Sequence, residues 1–262
     1  MATSLAGIRV PTIESTELCD KHGVHKIYYG KMKPFCPVCQ KEKMEQEKNR
    51  LVVLGSKQIA RNFMKQTSLV DDKSVWNASF DNYRAPNGSP EQVALARARK
   101  LAGKYLKEPN SKFNTVFTGY PGSGKTHLAI SMIKGINEYS HPQQRCLFLN
   151  VLSLLTEFKD GFSNPNNIWT EKYLYDLLHS VDVLVLDDLG SESFMNSSQG
   201  EATNWVQSVL YNITNMHHRI IITTNLTYNE LKKAYNPKIV SRLLWNAKDS
   251  IVDFTKISDK RF

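Results

Sequence analysis

Three groups of residues in this 262-residue chain have types and spacings that could do chemistry. The first is GYPGSGKT, residues 119–126, which fits the spacing of a phosphate-binding loop. Gly119, Gly122 and Gly124 let the backbone turn its N–H groups inward around β- and γ-phosphates. Lys125 supplies a point charge, and the Thr126 hydroxyl can ligate magnesium. With Tyr120, Pro121, Ser123 and His127, these residues form the stretch expected to bind ATP or ADP. The second group is Asp187 and Asp188, which close the apolar run SVDVLVLDDLGSE. Two acids after a strand can be a simple turn, but beside a phosphate loop they divide the work. Asp187 is expected to hold Mg2+ through its water shell. Asp188, one residue on and so directed to the other side of the strand end, is expected to orient or deprotonate an attacking water.

The third group lies in CDKHGVHKIYYGKMKPFCPVC. Cys19 and His22 form one close pair and Cys36 and Cys39 another, a pattern that can place three thiolates and one imidazole around Zn2+. His25 competes with His22 as the nitrogen ligand. Free thiols or a disulfide are the other readings, but three cysteines cannot all pair and nothing in the chain suggests secretion. A closed ligand set of this kind holds a fold together and leaves no position for a substrate water. Cys146, alone in the apolar RCLFLN, reads as a core residue.

Elements must carry these groups to one place. NTVFT before the phosphate loop is β-branched and aromatic, and HLAISMIKGIN after it has helical spacing. RCLFLNV, DVLVLDDLG, RIIITTN and SIVDF supply four more apolar strands, with helical patterns between the earlier ones. Continuous apolar strands alternating with helices predict an α/β fold, a parallel sheet covered by helices on both faces, with nucleotide at the carboxyl ends of the strands. Residues 1–45 are expected to form the zinc module. Residues 46–85 read as one or two bridging helices and a linker rich in Asn, Ser, Gly and Pro, and 86–262 as the ATPase domain.

The formal charge of +9 favours nucleic acid or an acidic protein surface as partner. No run of about eighteen apolar residues could span a bilayer and no signal peptide is visible, so the expected setting is the cytoplasm, with no membrane partner.

In that order and spacing, GYPGSGKTHLA, VLVLDDLGSE, IIITTN and SRLL resemble the AAA+ replicative-helicase loaders of bacteria and their phages, the DnaC/DnaI group, over about residues 75–262. The N-terminal cysteines resemble the DnaI branch, whose N-terminal domain binds the helicase. The resemblance implies an AAA+ P-loop ATPase that binds the hexameric replicative DNA helicase and single-stranded DNA, associates with copies of itself, and acts in the bacterial cytoplasm, or the host's if phage-encoded. It implies that Asn225 is the first sensor of the γ-phosphate and that Arg242 is a finger reaching a neighbour's nucleotide. Asn236 as cap and Pro237 as first helical residue make the helix of Arg242 credible from the sequence itself. Phe80 and Tyr83 match the linker that approaches adenine, with packing as an equal alternative. Phe162 and Trp169, beside Lys159 and Lys172, fall where loaders contact single-stranded DNA, with core packing the stronger reading.

Two departures from the family pattern stand out. Asp188 occupies a place where many AAA+ proteins have the longer Glu, which points to a slow, assembly-gated switch. No arginine fits the second-sensor pattern well, Arg261 in SDKRF coming nearest. An IstB-type transposition-helper ATPase, which shares the core, and a zinc-containing P-loop nucleoside kinase are the alternative readings.

Overall fold

The computed structural model describes residues 4–5, 8–9, 12–29, 31–196 and 201–260. The chain divides into two compact units, Met1–Ser56 and Lys57–Phe262.

The first unit has two antiparallel strand pairs, Ser4–Leu5 (β1) with Ile8–Arg9 (β2) and Ile13–Leu18 (β3) with His25–Tyr28 (β4). A 31-residue helix, Pro37–Thr67 (α1), follows them. Gly23, at φ 62°, makes the turn between β3 and β4, and its N–H donates to the Cys19 carbonyl (2.7 Å). A side chain there would be strained. Pro37 opens α1, where a missing N–H costs nothing. Cys39 therefore sits in the first helical turn, and its N–H donates to Cys36 Sγ (3.4 Å). Among the described residues of this unit, three are buried: Ser15, Cys19 and Cys36.

In the second unit the elements run Pro90–Lys107 (α2), Thr115–Thr118 (β5), Lys125–Tyr139 (α3), Cys146–Asn150 (β6), Val151–Ser163 (α4) and Glu171–His179 (α5). Val183–Leu189 (β7), Ser191–Asn196 (α6), Asn204–Met216 (α7), Ile220–Thr224 (β8), Tyr228–Ala234 (α8), Pro237–Leu243 (α9) and Ile251–Asp253 (β9) complete it. The five strands form one parallel sheet in the order β6-β7-β8-β5-β9. Side chains alternate along a strand, and here both faces are buried, so most positions are apolar and the acids stand at the carboxyl end of β7. Val183 and Val185 of β7 join Phe148, Phe117 and Ile133 in the core under α2 and α3. Leu184 and Leu186 join Leu147, Leu154, Leu210 and Val240 on the opposite face, under α4, α5, α7 and α9. This is the helix-covered parallel sheet that the strand pattern predicts. Among the described residues no helix is long and apolar enough to cross a membrane.

Residues 46–85, read as one or two helices and a linker, hold the rest of α1 and a packed segment after it. One unbroken helix covers 37–67, and the division between the units falls inside it, at Ser56/Lys57. The reason is apolar placement. Ala60 and Met64 in its last turns are buried, whereas Leu51, Val52 and Leu54 are exposed. Beyond the helix, Leu69 pairs in parallel with Leu149 of β6, donating its N–H to the Phe148 carbonyl (2.9 Å). A 3-10 turn, Lys73–Asn77, is capped by Asp72, and Ala78 and Tyr83 are buried in the core under α2 and α3. The segment after the helix is polar enough to read as a linker, yet its apolar residues, from Leu69 to Ala85, pack on the two cores.

Candidate nucleotide site and metal centre

The phosphate loop connects β5 to α3 at the carboxyl edge of the sheet. Its glycines have φ values that L side chains rarely adopt, 71° at Gly122 and 91° at Gly124. At Gly124 space is lacking as well, since a Cβ would lie 2.8 Å from the Tyr83 ring. The Lys125 ammonium is buried and donates to the carbonyls of Gly119 (2.8 Å) and Tyr120 (2.7 Å) and to Asn225 Oδ1 (2.8 Å). The loop can thus present N–H groups, one cation and the N-terminal end of a 15-residue helix to an anion.

The two acids are set by a bulge. Leu186 pairs with Ile222 and Leu189 with Thr224, so β7 carries one more residue than β8 across this interval. Asp188 takes φ 56°, a left-handed conformation that Asp tolerates better than most residues. Asp187 is buried and its Oδ1 accepts from the hydroxyls of Thr126 (2.8 Å) and Thr223 (2.7 Å). Burial pushes its carboxyl up to about 6, with the neighbouring Asp188 adding to the rise and the two hydroxyls opposing it. Asp188 Oδ1 accepts from Asn225 Nδ2 (3.0 Å), and its N–H donates to Thr223 Oγ1 (2.9 Å). Asn225 therefore uses both ends of one amide, joining Lys125 to Asp188. Thr126 with Asp187 could hold a divalent cation, and Asp188 with Asn225 could hold a water. Thr223 was not singled out in the sequence. Its signal is the register, because a residue following Ile222 on β8 must lie beside the acids following Leu186.

Arg242 is not brought to this cluster. Its guanidinium lies over the Tyr211 ring (4.6 Å) and donates to Asn215 Oδ1 (3.2 Å) and the Lys238 carbonyl (3.2 Å). Asn236 caps its helix by accepting from the Lys238 N–H (2.9 Å), with Pro237 next. Tyr83 lies under the loop, donating its hydroxyl to the Ser123 carbonyl (3.4 Å) and meeting His127 edge-on (5.2 Å). The His127 ring donates to the Ser79 carbonyl (2.9 Å), and Phe80 packs against the α2–α3 core. Lys260 crosses the loop from the other side, its N–H on the Gly122 carbonyl (3.2 Å) and its ammonium over the Tyr83 ring (5.3 Å). Arg261 lies outside the described residues. Trp169 is core, edge-on to Tyr173 (5.2 Å), whereas Phe162 is 76% exposed near Trp205, over whose ring Lys159 reaches.

In the first unit one ligand atom each from Cys19, His22, Cys36 and Cys39 lies within 4.8 Å of all the others. Tetrahedral zinc, with bonds of about 2.3 Å to sulfur and about 2.05 Å to nitrogen, sets S···S near about 3.8 Å and S···N near about 3.6 Å. Cys19 Sγ to Cys39 Sγ is 3.7 Å, and His22 Nδ1 lies 3.8, 3.6 and 3.3 Å from the sulfurs of Cys19, Cys36 and Cys39. The residues fit the ion. His22 Nε2 faces Glu42 Oε1 (3.2 Å), the partner that orients a ligating imidazole. His25 Nδ1 instead bonds the Ser15 carbonyl (3.0 Å), outside the quartet. The backbone N–H of His22 chiefly draws the Cys19 thiol down to about 6, whereas burial and its thiol neighbours push Cys39 up to about 11. A bound cation would displace the proton from such a thiol.

Residues 60–247 match the family model described as IstB-like ATP binding protein. A replicative helicase loader DnaC of Buchnera aphidicola subsp. Acyrthosiphon pisum is 34% identical over 119 residues, 45% of this chain and 44% of that protein. The chain spans less than two thirds of the length of the curated relatives it matches. The crystal structure of the DnaC helicase loader aligns over 71% of this chain and all of that one, at 24% identity and TM-score 0.55. That of DnaI aligns over 74% of this chain and 96% of that one, at 21% identity and TM-score 0.54. At these identities the likeness is one of fold.

Proposed function

The chain belongs to the IstB-like ATP-binding protein family, and we propose that it is an ATP-controlled loader that delivers a hexameric replicative helicase onto single-stranded DNA. One observation carries this reading. Thr126–Asp187 and Lys125–Asn225–Asp188 converge at one sheet edge, while Arg242, on α9, is bonded elsewhere. Among the described residues such a site can hold a nucleotide while Arg242 is bonded elsewhere, which suits an ATPase whose arginine comes from a second copy.

In this reading the loop N–H groups and the start of α3 bind the phosphates, and Lys125 exchanges carbonyl oxygens for phosphate oxygens. Thr126 and Asp187 hold magnesium, which neutralises phosphate charge when bound. Asp188, steadied by Asn225, orients a water and takes its proton, and Arg242 serves the neighbouring copy. The short reach of Asp188 makes turnover slow and assembly-gated. Zinc on Cys19, His22, Cys36 and Cys39 frames the N-terminal unit. There α1 exposes Met44, Leu51 and Val52 at helical spacing, an apolar stripe suited to the helicase. The net charge of +9 suits single-stranded DNA. The named function of the DnaC relative supports the same assignment.

The test is capture of the host's purified hexameric replicative helicase on immobilised full-length chain with ATP and Mg2+. Retention is expected, with loss in Cys36→Ser. Failure to retain the helicase would sink the proposal, and retention of a transposase in its place would move the chain to the transposition-helper reading that its family description also admits.

A further inference from the structure

Glu192 and Tyr235 form a buried pair outside the phosphate-loop cluster. Glu192 stands in the first turn of α6 and is 1% exposed; Tyr235, between α8 and α9, is 2% exposed. The Tyr235 hydroxyl donates to Glu192 Oε1, and Glu192 Oε2 accepts the Gly190 N–H (3.0 Å). We propose that Glu192 is a positioning residue for the ATPase reaction, holding the Asp188 turn with one carboxylate oxygen and the Arg242 helix with the other.

Gly190 is two residues past Asp188, and Ser191 Oγ donates to the Asp188 carbonyl (2.9 Å), so this turn is gripped from α6. On the other side Tyr235 immediately precedes Asn236, the cap of the helix that carries Arg242. Its neighbours are tied to the approach and first turns of α7, the Ala234 carbonyl by the Ala202 N–H (3.0 Å) and the Asn236 N–H by Gln207 Oε1 (2.9 Å). Glu192 adds a bond from the end of the strand that carries the acids. Burial raises the Tyr235 phenol far above its ordinary range, so it remains a donor. A buried polar pair adds little net stability over an apolar pair of the same shape, but it accepts a narrow range of geometries. Glu192 thus sets the angle at which Arg242 leaves its own subunit according to the position of Asp188.

This rests on the reading above that Arg242 acts on a neighbour's nucleotide, and mixed full-length chains separate the two. Arg242→Ala chains keep intact sites; Asp188→Asn chains have impaired sites but lend Arg242. Their mixture, with ATP, Mg2+ and a single-stranded oligonucleotide, should hydrolyse ATP faster than either alone. Adding Tyr235→Phe to the Asp188→Asn chain should lower that rate about tenfold, because a misplaced group loses most of its effect. Adding it to the Arg242→Ala chain should leave the rate within about twofold. Where Tyr235→Phe does not fold, as a thermal melt shows, Tyr235→Leu, which also removes the hydroxyl and leaves Glu192 on the Gly190 N–H, carries the same comparison. Equal losses from both chains, or none, overturn the positioning role while leaving the trans-acting arginine intact. A parent mixture no faster than its components overturns the trans-acting arginine, and this proposal with it.

Discussion

The two units of this chain are built on different physics. The second buries two apolar clusters on opposite faces of a five-stranded sheet, with Phe117, Leu128, Ile133 and Phe148 almost wholly out of water. The first buries three described residues, two of which are cysteines of the candidate zinc quartet. Apolar burial contributes roughly 25 cal/mol per Å² and so scales with size, which leaves a unit of this length dependent on bonds of another kind. A Cys3His quartet holding zinc, as proposed above, would supply them. In the second unit charge is an exception placed where phosphate chemistry needs it; in the first, ligand chemistry would itself be the core.

Removing the ion breaks the comparison most sharply. Structural zinc is worth on the order of 10 kcal/mol in small domains. Chelation or Cys36→Ser should therefore release the fold of residues 12–36, read as lost amide-exchange protection, while nucleotide affinity holds within about twofold. The converse, Lys125→Ala, should abolish nucleotide binding with zinc content unchanged. If both readouts fall together, the units do not fold independently. A cavity in the apolar core acts the other way. Ile133→Ala should cost about 2–5 kcal/mol in a denaturant titration of the second unit, again with zinc content unchanged.

The smallest effect sharpens the exception. Asp187 is raised from its ordinary 3.8 to about 6. A raised folded pKa means that its contribution to stability is complete below the ordinary value and is lost as pH rises through about 6. Ionised Asp187 therefore costs the unit up to about 3 kcal/mol at neutral pH. Without Mg2+, Asp187→Asn should raise the melting midpoint at pH 7.5 and change it little at pH 4. In the parent chain, magnesium-dependent nucleotide affinity should decline below about pH 6, as the carboxylate takes up its proton. A midpoint shift independent of pH would mean that burial of the charge is not the cause.

Much of this was legible because the signals are local. The phosphate loop's glycines, the five apolar strands and the Cys/His pairs each declare themselves within a few residues, and the structure has them at the expected places. In the linker part of residues 46–85 composition reports only average polarity. Leu69, Ala78 and Tyr83 are scattered among polar residues, yet a strand bridge and core contacts capture them. The choice between His22 and His25 was open in the sequence because both are near Cys19. The turn at Gly23 sends one ring to the sulfurs and the other to the Ser15 carbonyl.

The sequence by itself determined the strand–loop–helix order, the residue types at the phosphate loop and strand ends, and the pairing of soft ligands, because each depends on neighbours along the chain. Only the tertiary structure decided that one bulge turns Asp188 to Asn225, that Asn225 reaches back across one hundred residues to Lys125, and that Glu192 meets Tyr235. Those contacts depend on strand register and helix packing, which place side chains from distant segments within hydrogen-bond reach and leave no trace in the spacing of either.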